Sequence, residues 1–158
     1  MKGYNCIGCA PHNPIGLHLE FFEEGDYIFT KWNPTENHQG WPGILHGGVQ
    51  ALLLDETAEW LVNRKLQTTG VTSKLEVKYI KPVRTDEGVI TIRARQTRMM
   101  RNACFIDAEI LNSHDEICAQ SSMIYFCADK DTALSESGFT GCDAEEVYQM
   151  AIITAALA

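Results

Sequence analysis

The sequence predicts an α+β fold: a curved antiparallel sheet of about six strands wrapped on one long central helix, plus a C-terminal helix. Three observations predict it. One stretch, residues 47–66, is apolar on most sides at helical period, as a helix buried by something large must be. The segments before and after it read as strands broken by turn residues, in the order β-β-α-β-β-β-β. No repeat and no Pro/Gly/Ser-rich linker divides the 158 residues, so residues 1–158 form a single domain with one core. A sheet of this size with a single helix leaves a face or an edge open, which a second copy of the chain would cover.

The elements follow in order. Residues 1–16 are irregular, with Pro11, Pro14 and three glycines. Leu17 to Phe22 reads as a strand, and Glu23–Asp26 as the turn into a second strand, Tyr27 to Trp32. A Pro/Gly/Asn loop, 33–45, leads to the helix, which Thr68-Thr69-Gly70 ends, with Gly70 suited to a position near the C-cap. Val71 to Ile80 alternates only in part and stops at Lys81-Pro82. Gly88 to Met99 alternates well, with Val89, Thr91, Arg93 and Arg95 opposing Ile90, Ile92 and Ala94. Ala103 to Leu111 pairs with Glu116 to Ala128 through the turn Asn112–Asp115. Residues 129–142 read as a polar loop, and Asp143 as the cap of a final helix, 144–157. The core domain is thus about 15–128, with a helical extension at 143–157.

Composition narrows the function. The net charge is −8 and no basic block is visible, which argues against a nucleic-acid partner. No apolar run approaches the roughly 20 residues that span a bilayer, and residues 1–6 lack a signal-peptide core. A cytoplasmic location is expected, with no membrane partner and with the six cysteines mostly reduced. Cys104, Cys118 and Cys127 then serve as small core residues. Cys6-x-x-Cys9 with His12 resembles half of a zinc site, but there is no second Cys-x-x-Cys, and His18 or Cys142 would join only by folding. No metal is assigned.

The run from Trp41 to Glu56 carries the most chemistry. His46-Gly47-Gly48 opens the helix, whose first amides are unpaired and partly positive, a setting for a developing oxyanion. Nine residues after His46, Asp55 sits among Leu54, Ala51 and Ala58. An acid in such company is paired, satisfied or functional. On the helical wheel Gln50, Thr57 and Arg64 make a narrow polar strip, and Asp55, Glu56, Glu59 and Asn63 an acidic arc. Along one helix His46 and Asp55 lie roughly 13 Å apart and point to opposite sides. If both act on one substrate they belong to different chains, which makes the site a dimer-interface site. The plainer alternative is a surface helix with solvated acids, in which Gly47 and Gly48 only permit close packing.

His46-Gly47-Gly48, the spacing to Asp55, and the strand ending Tyr79-Ile-Lys-Pro82 resemble the hotdog-fold acyl-CoA thioesterases of the PaaI-like, phenylacetate-pathway type. The opening Asn13-Pro-Ile-Gly-Leu17 after Cys6-x-x-Cys9 is similar to one branch of that family. The resemblance covers about residues 5–128. It implies a hotdog fold, a homodimer that often pairs into a homotetramer, an acyl-CoA substrate, and no cofactor beyond the coenzyme A of the substrate. It implies that the Gly47 amide polarises the thioester carbonyl and that Asp55 of the other subunit is general base or nucleophile. His46 would orient the thioester, and Thr72, with Ser73 beside it, would hold the water. Gly48, Gln39, Glu56, Ser73, Arg93 and Arg95 are the candidate substrate contacts. The two arginines, within the cluster that continues to Arg98 and Arg101, are candidates for the nucleotide phosphates or are plain strand charges. Met99, Met100 and Trp41 are candidates for an acyl pocket or for the core.

The chain departs from the pattern at Gly40, where some relatives carry Asn; Gln39 beside it is a candidate replacement. Two alternatives stay open: a hydratase or dehydratase on the same fold, and a non-catalytic acyl-CoA-binding module.

Overall fold

The computed structural model describes residues 3–142. Six strands form one antiparallel sheet: β1 (Phe22–Glu24), β2 (Tyr27–Trp32), β5 (Gly70–Tyr79), β6 (Ile90–Met100), β7 (Ala103–Leu111) and β8 (Ile117–Cys127), in the order β1-β2-β6-β7-β8-β5. The helix α1 (Gly47–Leu61), continued by a π-helical turn at Val62–Leu66, packs across β2, β5, β6, β7 and β8. Leu53, Leu54, Ala58, Leu61 and Val62 meet Ile92, Ala94, Ile106, Ile110 and Tyr125, all buried. A two-stranded ribbon, β3 (Gln39–Trp41) with β4 (Ile44–Leu45), stands just before the helix. The architecture is the expected hotdog α+β fold, and no described helix is long and apolar enough to cross a membrane.

Several local expectations are met by particular contacts. Asn112 closes the β7–β8 turn, its Oδ1 accepting from the amides of His114 and Glu116 at 3.0 Å each. In β6, Ile90, Ile92 and Ala94 are buried while Arg95 is exposed, as the alternation requires. Cys104, Cys118 and Cys127 are buried.

Other expectations are corrected. The strand at 17–22 is not formed: only Phe22–Glu24 enters the ladder, because Leu17 and Leu19 donate their amides back to Ile7 and Gly8. The loop 33–45 contains the β3–β4 ribbon and a short 3₁₀ turn, Glu36–His38, capped by Thr35. Gly70 does not end the helix but begins β5; Gln67 takes the left-handed position instead, at φ 53. The polar strip of α1 faces inward: Gln50, Thr57 and Arg64 are buried. Thr57 donates to the Leu53 carbonyl at 2.7 Å, Gln50 to that of Leu45 at 3.1 Å, and Arg64 stacks over Trp60. Their stems and backbone-directed bonds make burial tolerable. The segment read as a loop after β8 holds a helix, α2 (Lys130–Ser137), with Asp129 accepting from the Thr132 amide at 2.8 Å and Gly138 closing it at φ 65. The helix expected at 144–157 lies outside the described residues.

The partial alternation of β5 has a structural cause. The ladder to β8 pairs Thr72 with Tyr125 but Lys74 with Ile124, so Ser73 is an extra residue in a β-bulge. The bulge switches parity. Thr72 reaches α1 on one side of it; Leu75, Val77 and Tyr79 face the same way on the other.

Candidate active site

The helix mouth is built as the sequence suggests. His46, with extended backbone, is the N-cap of α1, and its Nδ1 accepts from the Gly48 amide at 2.9 Å. An accepting Nδ1 puts the proton of the neutral ring on Nε2, which is left as a donor on an exposed side chain. Gly47 is held from below: Tyr79 donates its hydroxyl to the Gly47 carbonyl at 2.8 Å. The amide of Gly47 meets no acceptor among the described residues. A Cβ on Gly47 would stand 3.3 Å from the Tyr79 oxygen, and one on Gly48 3.1 Å from the His46 ring, so both glycines serve close approach.

Asp55 is satisfied by two hydroxyls. Thr72 donates to Asp55 Oδ1 at 2.8 Å. The Tyr125 hydroxyl lies 2.6 Å from the same oxygen and 2.7 Å from the Asp55 carbonyl. Burial first, and the Asp55 carboxylate second, push the Tyr125 phenol far up, so it is a fixed donor. Oδ2 has no partner among the described residues, and Asp55 remains partly exposed. A carboxylate with one oxygen anchored and the other open is placed to take a proton from water. One turn further along α1, burial and the charges of Glu56 and Asp55 raise Glu59 to about 7.

The structure brings together Asp55 with Thr72, and His46 with Gly47 and Gly48. The remaining candidates lie elsewhere within one chain. Ser73 is the bulge residue and is exposed. Gln39 spans the β3–β4 turn, accepting from the Gly43 amide at 2.9 Å. Gly40 sits against the His46 ring, where a Cβ would come within 3.1 Å, so a larger residue there would press on the cap. Glu56 is turned away from Asp55 and buried under the N-terminal loop. Arg93 pairs with Glu109, and both Arg93 and Arg95 stack on Tyr27 around a shallow pocket on the side of the sheet away from α1. Met99, Met100 and Trp41 are exposed and form no part of the core. Tyr125 and Tyr79 were not singled out as site residues by sequence reasoning. Their signal is a tyrosine at an inward strand position, whose hydroxyl must find a partner there.

Residues 42–119, which contain the helix mouth, Asp55 and Thr72, match the thioesterase superfamily model. Over these residues the chain is similar to the thioesterase superfamily. Solved structures agree in fold. The chain superposes on a thioesterase-superfamily protein with a TM-score of 0.70 at 22% identity, covering 77% of this chain and 62% of that longer one. A thioesterase protein of Streptococcus pneumoniae with coenzyme A gives 0.63 at 23%, covering 70% and 85%. The PaaI protein of the E. coli phenylacetic acid degradation operon gives 0.65 at 16%, covering 72% and 81%. The PaaI-like resemblance is thus met in the fold. No curated protein matches the chain.

Proposed function

We propose that this protein is an acyl-CoA thioesterase whose site is completed by two chains, with Asp55 of one activating water and Gly47 of the other receiving the oxyanion. The observation that carries the reading is the Asp55 carboxylate, anchored at Oδ1 by Thr72 and Tyr125 and open at Oδ2. Water attacks the thioester carbonyl and gives its proton to Asp55. The carbonyl oxygen gains the negative charge opposite the unpartnered Gly47 amide at the positive end of α1. Collapse expels the coenzyme A thiolate, which takes a proton. His46 Nε2–H is a donor for the substrate at the same mouth. The coenzyme A bound by the S. pneumoniae neighbour supports a ligand of this class.

Helix geometry supports the two-chain arrangement, since residues 47 and 55 are eight apart on α1, about 12 Å along the axis. The sheet supplies a seam for it. β5 is an edge strand of ten residues with one neighbour, and Val71 on it is 69% exposed. A homodimer through this edge, or a tetramer of such dimers, would cover it. The test is hydrolysis of acyl-CoA substrates of several chain lengths and of aryl-acyl type, read by release of free thiol. Asp55→Asn is expected to lower kcat by about 10²–10⁴ with an unchanged circular dichroism spectrum. Equal turnover by that variant would overturn the assignment. Gly40 and the engagement of Gln39 with Gly43 favour one rival, acyl-CoA binding without turnover. Tight binding of a non-hydrolysed acyl-CoA would establish it, and hydration of an enoyl-CoA would point to the hydratase alternative.

A further inference from the structure

The N-terminal loop folds over α1 next to the candidate site and brings two thiols onto a buried acid. Cys6 Sγ lies 3.3 Å from each oxygen of Glu56, and ligand atoms of Cys6, Cys9 and Glu56 all lie within 4.8 Å of one another. Cys9 and Glu56 are only 9% and 6% exposed. Glu56 enters no ion pair among the described residues. A buried carboxylate without an ion pair, with two thiols beside it, is an arrangement that a cation would stabilise.

The loop is shaped to this contact. Gly8, between the cysteines, packs so closely that a Cβ would fall 2.5 Å from the Glu56 carboxyl carbon. Its amide donates to Cys6 Sγ at 3.2 Å, and the Tyr4 hydroxyl lies 2.7 Å from Cys9 Sγ. The Gly8 amide aimed at Cys6 Sγ stabilises the thiolate form a metal requires. Ligand atoms on a tetrahedral zinc stand about 3.5–3.8 Å apart, given Zn–S near 2.3 Å and Zn–O near 2.1 Å. The cluster therefore needs only small shifts, with Cys6 and Glu56 moving slightly apart from 3.3 Å and any pair nearer 4.8 Å drawing in.

We propose that Cys6, Cys9 and Glu56 form a structural site for a zinc-class divalent cation, which staples the N-terminal loop to α1. Two thiolates and a carboxylate select a borderline-soft ion over magnesium or calcium. Binding releases both thiol protons to solvent, leaves the thiolate electron pairs on the metal, and gives a site of net charge −1. A fourth position stays for a solvent oxygen. His12 and His18 do not supply it, since their Nε2 atoms engage the Tyr4 and Asn13 carbonyls at 2.9 and 2.7 Å. The pairing of Cys6-x-x-Cys9 with a residue 47 positions further on is what the sequence alone conceals.

The test uses the full chain, reduced and stripped with a chelator, titrated with Zn²⁺ against a chromophoric competitor and separately with Co²⁺. One metal per chain and a thiolate-to-cobalt charge-transfer band are expected. Cys6→Ser and Cys9→Ser are expected to abolish the band, Glu56→Gln to weaken Zn²⁺ binding at least tenfold, and His12→Ala to change neither. Absence of the band in the wild type, full metal uptake by the two serine variants, or uptake lost equally in His12→Ala would each overturn the site. A wild type that carries a Cys6–Cys9 disulfide and takes up no metal after reduction would also overturn it. Should the serine variants fail to fold, the wild-type cobalt spectrum and Glu56→Gln still decide.

Discussion

Tyr125→Phe isolates the anchoring of Asp55. The ring is 1% exposed and stays in the core, so no cavity opens; only the hydroxyl leaves. That hydroxyl lies 2.6 Å from Asp55 Oδ1, a distance typical of a charge-assisted bond. Such bonds are worth about 1.5–3 kcal/mol, and each 1.36 kcal/mol is tenfold in rate. If the anchor holds the acid in its working geometry, kcat/KM for acyl-CoA hydrolysis falls about ten- to a hundredfold. The loss of this bond should cost about 1.5–3 kcal/mol of stability, read from the urea midpoint. Thr72→Val removes the second donor to the same oxygen at a more exposed position, so a smaller loss, up to about tenfold, is expected. Because both bonds end on one atom, the double variant should depart from additivity by more than about 0.5 kcal/mol. Activity of Tyr125→Phe within twofold of wild type, alongside an inactive Asp55→Asn, would refute the anchoring.

His46 separates capping from chemistry. His46→Asn restores an acceptor for the Gly48 amide and should hold stability within about 0.5 kcal/mol, whereas His46→Ala should lose about 1 kcal/mol; both should lose activity if Nε2–H serves the substrate. Glu59 titrates near 7 in the folded chain, above the usual glutamate range, because of burial and then its acidic neighbours. The folded state therefore binds the proton more tightly, and stability falls as pH rises from about 4.5 to 7. Glu59→Gln should remove that decline and gain about 1–2 kcal/mol at pH 8, after discounting for partial exposure, in paired urea unfolding curves at pH 5 and pH 8. Deleting Ser73 should leave a regular ladder, with Thr72 opposite Tyr125, Lys74 opposite Ile124, and Leu75, Val77 and Tyr79 still facing α1, so a retained cooperative thermal transition is the expected readout. Gly8→Ala should force the Glu56 carboxylate aside and lower the melting temperature by several degrees, as a cost of about 1–3 kcal/mol implies.

The sheet, the central helix and the helix mouth were legible because each rests on a local rule. Period two in Ile90–Ala94, the apolar stretch after Gly48 and the His46-Gly47-Gly48 opening all act within a few residues. What escaped depends on distant partners. Leu17–Phe21 has the composition of a strand, yet Ile7 and Gly8 take its hydrogen bonds. Gln50, Thr57 and Arg64 form a polar strip, yet all three are buried: Gln50 and Thr57 each donate to a backbone carbonyl, Arg64 stacks on Trp60, and Gln50 Oε1 and Arg64 Nε keep no hydrogen-bond partner among the described residues. Asp55 stood out because an acid among leucines is costly. Its anchors, Thr72 and Tyr125, come from β5 and β8, and nothing in a linear sequence puts Tyr125 beside Thr72. Asp129 was an unread cap, a local signal that composition outweighed.

The bulge at Ser73 makes β5 a strut with two ends. Thr72 steadies the acid, and Tyr79, seven residues on, steadies the carbonyl of Gly47. If each catalytic pocket takes its acid from one chain and its amide from the other, one β5 leans on two pockets at once. A distortion anywhere along that strut would be shared between them. In mixed dimers, a single altered β5 would then impair both pockets, one through Asp55 and the other through Gly47, and activity would fall below the half expected of independent sites.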